Sequence, residues 1–299
     1  MTHYRRTVFY IDLFLKTGKS GALMMVKYQV SLTEIFTAPL VAFGLVTGLT
    51  LGLTGSAFGQ TVSHRVVYDL DMHNVSSAAQ VETIDGQTHY SLRRVCDGWE
   101  TIEDYAISFG FGQDGQSNFI SHYQTWESFA GDAFTFTVTE NSTLDGDKQY
   151  DGFANIGQGM GEAFYSVGQP TTRELPDNTM LPMKHMLMLL DRARNGERVY
   201  QSNLFLGGDQ DGSLYFVNSV MGKRKSIPAD DSIGDLAEDG YWPITIAYYD
   251  PDAVTPEPEY EITFRVQDNG VIRSYIVKYS DFSMRATLRS AEEIDAASC

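Results

Sequence analysis

Two cysteines, Cys96 and Cys299, are the residues whose chemistry can be inferred most directly from this sequence. Cys299 is the last residue, where a thiol contributes little to packing but could form a disulfide that ties the C-terminus to the rest of the domain. Two cysteines allow a single intramolecular pairing. The alternative is a pair of unrelated free thiols, and the compartment in which the protein matures decides between them.

The N-terminal segment predicts export to an oxidising compartment, where disulfides persist. Residues 39–59 carry no charge and are rich in leucine, valine, glycine and alanine, and five basic residues precede them. This order is typical of a secretory signal peptide. We therefore expect a leader over residues 1–59, with Met24 or Met25 as an alternative start, and a soluble periplasmic domain over residues 60–299. A membrane anchor is the alternative, since about 20 apolar residues can span a bilayer.

The charge balance excludes one class of partner. Asp and Glu number 39 against 22 Lys and Arg, which gives a net charge of −17 at pH 7. Such a field repels phosphate backbones, so we expect no nucleic-acid binding.

The sequence contains no recognisable cofactor, metal or catalytic motif. No two of the five histidines after the leader have zinc-motif spacing, and the Gly-x-Ser-x-Gly motif of many hydrolases is absent. Two acid-rich segments, 145–147 and 209–212, lack the full calcium-loop pattern and are better explained as hairpin turns. We expect His185 to be exposed or hydrogen-bonded rather than catalytic. A glycosidase with two carboxylates far apart in the sequence stays open.

Most of the chain after the leader is predicted to form β-strands. Apolar and polar residues alternate along most of the chain, which predicts more than a dozen strands in a mainly antiparallel β protein. Asn269-Gly270 predicts a tight type I′ hairpin turn. On its first arm, Tyr260, Ile262, Phe264 and Val266 are expected to face the core, and Glu261, Thr263, Arg265 and Gln267 the solvent.

One helix is predicted near residues 180–195. Pro182 suits a first helical position, Asn178 or Thr179 could cap the helix, and Gly196 supplies a stop. Its apolar residues cover more than half of its circumference, so it should lie in the concavity of a curled sheet. Its methionines could line an adaptable apolar cavity, and the candidate ligand-facing residues are Met183, Met186, Leu187 and Leu190. Ordinary core packing is the alternative.

Several short segments, in a fixed order along residues 64–299, resemble one known family. They are His64–Leu70, Arg94–Trp99, Leu181-Pro182 with His185, Leu189, Arg192 and Gly196-Glu197, Tyr241–Tyr249, Asn269–Val271, Tyr279–Phe282 and the final Cys299. Together they are similar to the cell-envelope integrity EipB family of bacterial periplasmic proteins. The resemblance implies a single large antiparallel β-spiral that wraps one amphipathic α-helix, closed by a disulfide between Cys96 and Cys299.

The resemblance also implies a role in cell-envelope integrity without an established enzymatic activity. We therefore expect a non-enzymatic periplasmic protein that binds another envelope protein, for which a helical-repeat protein is a plausible partner. The alternatives are a carrier or sensor of a lipid or other apolar envelope molecule, and an envelope hydrolase with dispersed acids.

Overall fold

The computed structural model describes residues 61–77, 79–157, 159–167, 170–209, 213–228, 231–252 and 256–299. The predicted leader, residues 1–59, lies outside the described residues.

The described chain is mainly β with one α-helix, which confirms the predicted fold class. The first eight strands are β1 (His64–Val75), β2 (Thr83–Arg94), β3 (Gly98–Gly110), β4 (Gln116–Ser128), β5 (Ala133–Ser142), β6 (Gly146–Asn155), β7 (Gly161–Tyr165) and β8 (Thr171–Leu175). The short strand β9 (Thr179–Met180) precedes the helix α1 (Pro182–Arg194). The remaining strands are β10 (Val199–Phe205), β11 (Leu214–Met221), β12 (Lys225–Ser226), β13 (Gly240–Tyr249), β14 (Tyr260–Val266), β15 (Ile272–Lys278) and β16 (Phe282–Glu293). Short 3-10 segments lie at Gly112–Asp114 and Asp231–Leu236.

The strands form one 16-stranded sheet that rolls into a nearly closed barrel. From β1 to β8, each strand pairs antiparallel with the next. β1 also pairs antiparallel with β16, so the first and last strands lie side by side in the middle of the sheet. The two ends of the sheet are β8 and β9, which only residues 176–178 separate in the chain. That short connection brings the edges together and rolls the sheet.

A hydrophobic cluster fills one part of the interior. Its members come from β5 to β8 and from the segments on either side of α1: Phe134, Phe136, Ala154, Ala163, Tyr165, Leu175, Leu181, Phe205 and Leu214. The backbone approaches this cluster closely at Gly207, whose φ is 75° and where a Cβ atom would lie 2.8 Å from Phe136. Only glycine fits both the positive φ and the contact.

The hairpin at Asn269-Gly270 is present, but the type I′ turn was a wrong prediction. The backbone N–H of Gln267 donates to the carbonyl of Val271 at 2.9 Å, which leaves three residues in the loop. Only Gly270 has a positive φ, of 88°, whereas a type I′ turn needs positive φ at both central residues. Gln267, predicted to face solvent, is fully buried, and its amide donates to the carbonyl of Leu236.

The helix ends where glycine was predicted to stop it. Gly196 has a φ of 88°, and the backbone N–H of Glu197 donates to the carbonyl of Arg192 at 2.9 Å. This is the αL termination common at helix C-termini. The predicted caps at the other end were wrong: Leu181 occupies the N-cap position, and its own side chain makes no capping hydrogen bond.

Candidate functional site

A cavity of about 240 Å³ lies between the inner face of the sheet and α1. Strand alternation supplies its wall, because every second residue of a strand points to the same side. From β3 these residues are Thr101, Glu103, Tyr105 and Ile107. From β13 and β14 they are Ile246, Tyr248, Ile262 and Phe264. The wall is therefore mostly apolar and aromatic.

All four predicted ligand-facing residues lie in the cavity wall, namely Met183, Met186, Leu187 and Leu190. Met180 and Met188, the other methionines of this region, are not part of the wall. One face of α1 therefore borders open space, whereas Leu189 and Ala193 are buried in packing. That these four residues contact a ligand remains a prediction.

Glu127 of β4 holds the N-terminus of α1. Its carboxylate oxygens accept the backbone N–H groups of Met183 at 2.8 Å and Lys184 at 2.7 Å. These amides have no partner within the helix, and a negative charge at a helix N-terminus is favourable. Burial raises the pKa of Glu127 to about 7, although both amides favour its charged form. A residue more than 50 positions upstream thus does the capping that was predicted for Asn178 or Thr179.

Asp268, in the loop between β14 and β15, holds the other end of the helix. Arg194 donates to its carboxylate at 3.1 Å, Trp242 at 2.8 Å and Arg224 at 2.9 Å. Partial burial alone would raise the pKa of Asp268, but these hydrogen bonds outweigh it and lower the pKa. Both ends of α1 are therefore fixed to the sheet, and the cavity has a defined wall on the helix side.

Glu103 is a carboxyl group on the mostly apolar inner face of β3. Tyr90 of β2 and Tyr123 of β4 lie directly opposite it on the neighbouring strands. The hydroxyl of Tyr105 donates to Oε1 of Glu103 at 2.5 Å. Burial raises the pKa of Glu103 to about 7, which outweighs the opposing effect of this hydrogen bond.

His185 also lies in the cavity wall, on the first turn of α1. It is only 2% exposed, and its Nε2 atom lies 3.4 Å from the hydroxyl of Ser219. Burial lowers its pKa to about 4, so the ring is neutral at physiological pH. The prediction of a hydrogen-bonded side chain fits this position, while an exposed one does not.

The described part of the cavity wall contains no lysine or arginine. Within the same residues, no group of three or more His, Cys, Asp or Glu side chains could hold a metal ion. No helix in the described ranges has the length and apolar character needed to cross a bilayer.

The two cysteines lie beside the pairing of the first and last strands. After β16, the backbone N–H of Ala297 donates to the carbonyl of Arg94 at 3.0 Å, so the tail runs along the end of β2. The Sγ atoms of Cys96 and Cys299 are at bonding distance, 2.14 Å, with their Cα atoms 5.5 Å apart. Because β1 lies between β2 and β16, this link spans the strand that joins the two halves of the sheet.

Sequence reasoning missed Glu103 and Glu127 as cavity residues. The signal was present, because each lies in phase with apolar and aromatic residues of its strand. Glu103 follows the alternation of Tyr105, Ile107 and Phe109, and Glu127 follows that of Phe119 and Tyr123. An acid on the apolar face of a strand is the pattern that would have identified them.

Comparison with known proteins gives one consistent result. The EipB-like family model matches residues 56–295. The cell envelope integrity protein EipB of Brucella abortus (strain 2308) is 27% identical over 257 residues, covering 83% of this chain and 91% of the relative. A crystal structure of a beta-barrel-like protein of the domain of unknown function DUF1849 from Brucella abortus superposes with a TM-score of 0.74 at 26% identity. That superposition covers 79% of this chain and 99% of the solved one. The order of short motifs, the rolled sheet around a single helix and these matches agree, and the chain belongs to the EipB-like family.

Proposed function

We propose that this protein supports cell-envelope integrity in the periplasm by holding an apolar or amphiphilic envelope molecule between its sheet and α1. The cavity of about 240 Å³ is the main structural support for this proposal. Ligand sites in proteins are typically concave and mostly apolar, with a few polar groups. A protein that served only as a scaffold would have no need of open space beside its helix.

The wall favours binding over catalysis. It contains two carboxyl groups, Glu103 and Glu127, which is the arrangement that the hydrolase alternative requires. However, both oxygens of Glu127 accept backbone N–H groups of α1, so this carboxylate cannot attack a substrate without uncapping the helix. The curated relative is named for envelope integrity and not for a reaction.

Native mass spectrometry tests whether the cavity is used. We expect the protein purified from its own envelope to retain a small apolar molecule, and to bind the neutral fluorescent probe N-phenyl-1-naphthylamine. Met186→Trp places a larger side chain in the cavity wall and should abolish both signals. Met188→Trp is the matched control on the same helix, outside the wall. Binding that M186W leaves unchanged would contradict a role for the cavity.

A second candidate function is the binding of another envelope protein through the outer face of the sheet. Val199 of β10 and Val220 of β11 are directly paired, and they are 58% and 48% exposed. Phe216 of β11 is 38% exposed on the same outer face. Neighbouring apolar side chains on a surface favour a protein contact.

Affinity capture from envelope extract tests this second candidate. The wild-type protein should recover a helical-repeat envelope protein that Val220→Lys does not recover. M186W, which alters only the cavity, is the control and should recover it as the wild type does. If V220K recovers the same protein as efficiently, the paired valines are not the contact surface.

A further inference from the structure

One polar part of the cavity wall is the carboxyl group of Glu103, which is surrounded by tyrosines. Tyr90 and Tyr123 lie directly across from Glu103 on the two adjacent strands, where opposing side chains on one face have Cβ atoms about 5 Å apart. Tyr105 lies two residues further along the same face of β3. Tyr68 and Tyr275 complete the aromatic surroundings, with rings 5.4 Å apart.

Four of these tyrosines use their hydroxyl groups within the protein, and the hydroxyl of Tyr275 is buried without a hydrogen-bond partner among the described residues. That of Tyr68 donates to the carbonyl of Ile272 at 2.7 Å, and that of Tyr123 to the carbonyl of Leu206. The hydroxyl of Tyr90 is hydrogen-bonded to Thr101. What remains for a ligand in this part of the cavity is therefore the aromatic rings and the second oxygen of Glu103.

Glu103 has no basic partner in the described structure. Its side chain accepts a hydrogen bond from Tyr105, and no lysine or arginine lies in the described wall. An ionised carboxylate in such surroundings is costly unless a positive charge accompanies it. Aromatic rings attract cations through their electron-rich faces, and aromatic cages recognise quaternary ammonium groups. The same surroundings disfavour an anionic head group.

We propose that the cavity binds an amphiphile with an organic ammonium head group, held by the Glu103 carboxylate and the tyrosine rings, while α1 holds its alkyl chain. This inference rests on the proposed use of the cavity and names the class of its ligand. The volume of about 240 Å³ lies just below the range of about 300–1,000 Å³ typical of drug-sized ligands. It suits a single alkyl chain rather than a complete two-chain lipid. Met186, Leu187 and Leu190 supply the apolar surface for that chain.

The affinity for an ammonium ligand should rise with pH. Burial raises the pKa of Glu103 to about 7, so below this pH an incoming cation must displace a proton. From pH 5.5 to pH 8 the affinity should increase about sevenfold, since ionised Glu103 is expected to strengthen ammonium binding about tenfold over its protonated form. The other titratable groups in the described cavity wall are Tyr68, Tyr90, Tyr105, Tyr123, Glu127, His185, Tyr248, Tyr275 and Tyr279. Burial raises the pKa of all these tyrosines and lowers that of His185 to about 4. These side chains therefore stay uncharged between pH 5.5 and pH 8. Glu127 also titrates in this pH range, but both of its carboxylate oxygens accept backbone N–H groups of α1.

Calorimetric titration with three decyl amphiphiles below their micelle concentrations tests the inference. The probes are decyltrimethylammonium, decyl sulfate and the neutral triethylene glycol monodecyl ether. At pH 8 the wild type should bind the ammonium compound about tenfold more tightly than the neutral one, and decyl sulfate most weakly. Glu103→Gln should remove this tenfold preference and the pH dependence while preserving neutral binding. Glu100→Gln, on the opposite face of the same strand, should change neither.

The possible outcomes separate this inference from the proposed function. If none of the three probes binds, the cavity does not hold amphiphiles and both proposals are wrong. If all three bind with similar affinity, or decyl sulfate binds best, the cavity is used but the ammonium inference is wrong. The wild-type pH series needs no variant, so an affinity that stays constant from pH 5.5 to 8 overturns the role of Glu103 even if E103Q fails to fold.

Discussion

Replacing Cys299 with serine is expected to lower the free energy of unfolding by up to about 5 kcal/mol, because the bond between Cys96 and Cys299 closes a loop with a sequence separation of 203 residues. For a domain of this size each kcal/mol corresponds to about 2–4 °C in the melting temperature, so the midpoint should fall by up to about 10–20 °C. Differential scanning calorimetry of the wild type and C299S measures the change.

The controls for this experiment follow from the pairing. Cys96→Ser should have the same effect as C299S, and the double variant should be no less stable than either single variant, because each substitution removes the same bond. A reducing agent should destabilise the wild type and leave C299S unaffected. Equal melting curves for oxidised wild type and C299S would show that the link contributes nothing to stability.

Replacing Glu103 with glutamine is expected to stabilise the protein at pH 8, in contrast to most substitutions of interior residues. Burial raises the pKa of Glu103 to about 7 in the folded state, compared with about 4.3 in an unfolded chain. Between these pH values the folded state keeps a proton that the unfolded state has lost, so stability falls as the pH rises and the full cost is present above pH 7. Glutamine does not titrate and still accepts the hydrogen bond from Tyr105, so the gain should reach up to about 4 kcal/mol at pH 8.

Chemical unfolding curves recorded over a series of pH values give the free energies of unfolding of the wild type and E103Q. His64, His185 and Glu127 also have shifted pKa values, but they are present in both proteins and cancel in the difference. The gain of E103Q should shrink towards zero near pH 4.5, and E100Q should show no comparable trend. A gain that is independent of pH, or a loss at pH 8, would mean that Glu103 is not held in a destabilising environment. When an interior residue lowers the stability of the folded protein, a functional role explains why it is kept.

The strands and the helix could be predicted because their signals are local. Alternation along β14 correctly placed Tyr260, Ile262 and Val266 in the core, and Gly196 correctly marked the end of α1. Strands as short as β9 and β12, with two residues each, carry too little alternation to be predicted from the sequence. The order of the strands could not be obtained from periodicity, because the pairing of β1 with β16 joins residues more than 200 positions apart.

The candidate site was predicted on its helix side only. The helical face with Met183, Met186, Leu187 and Leu190 is visible from spacing along α1, and all four residues lie in the cavity wall. Glu103 and Glu127 were not identified, because their roles depend on what a rolled sheet brings opposite them. The cap on α1 shows the same limit, since its acceptor comes from β4 and not from the preceding turn.

The position of β16 has a consequence for how the polypeptide is made. Of the described strands, this 12-residue strand is synthesised after all the others, yet it occupies an interior place between β15 and β1. Until it arrives, β1 and β15 expose unpaired backbone groups, which is the kind of border that recruits other chains. A premature stop upstream of residue 282 would therefore leave two half-sheets with unpaired edge strands, and not a barrel that is only slightly shorter.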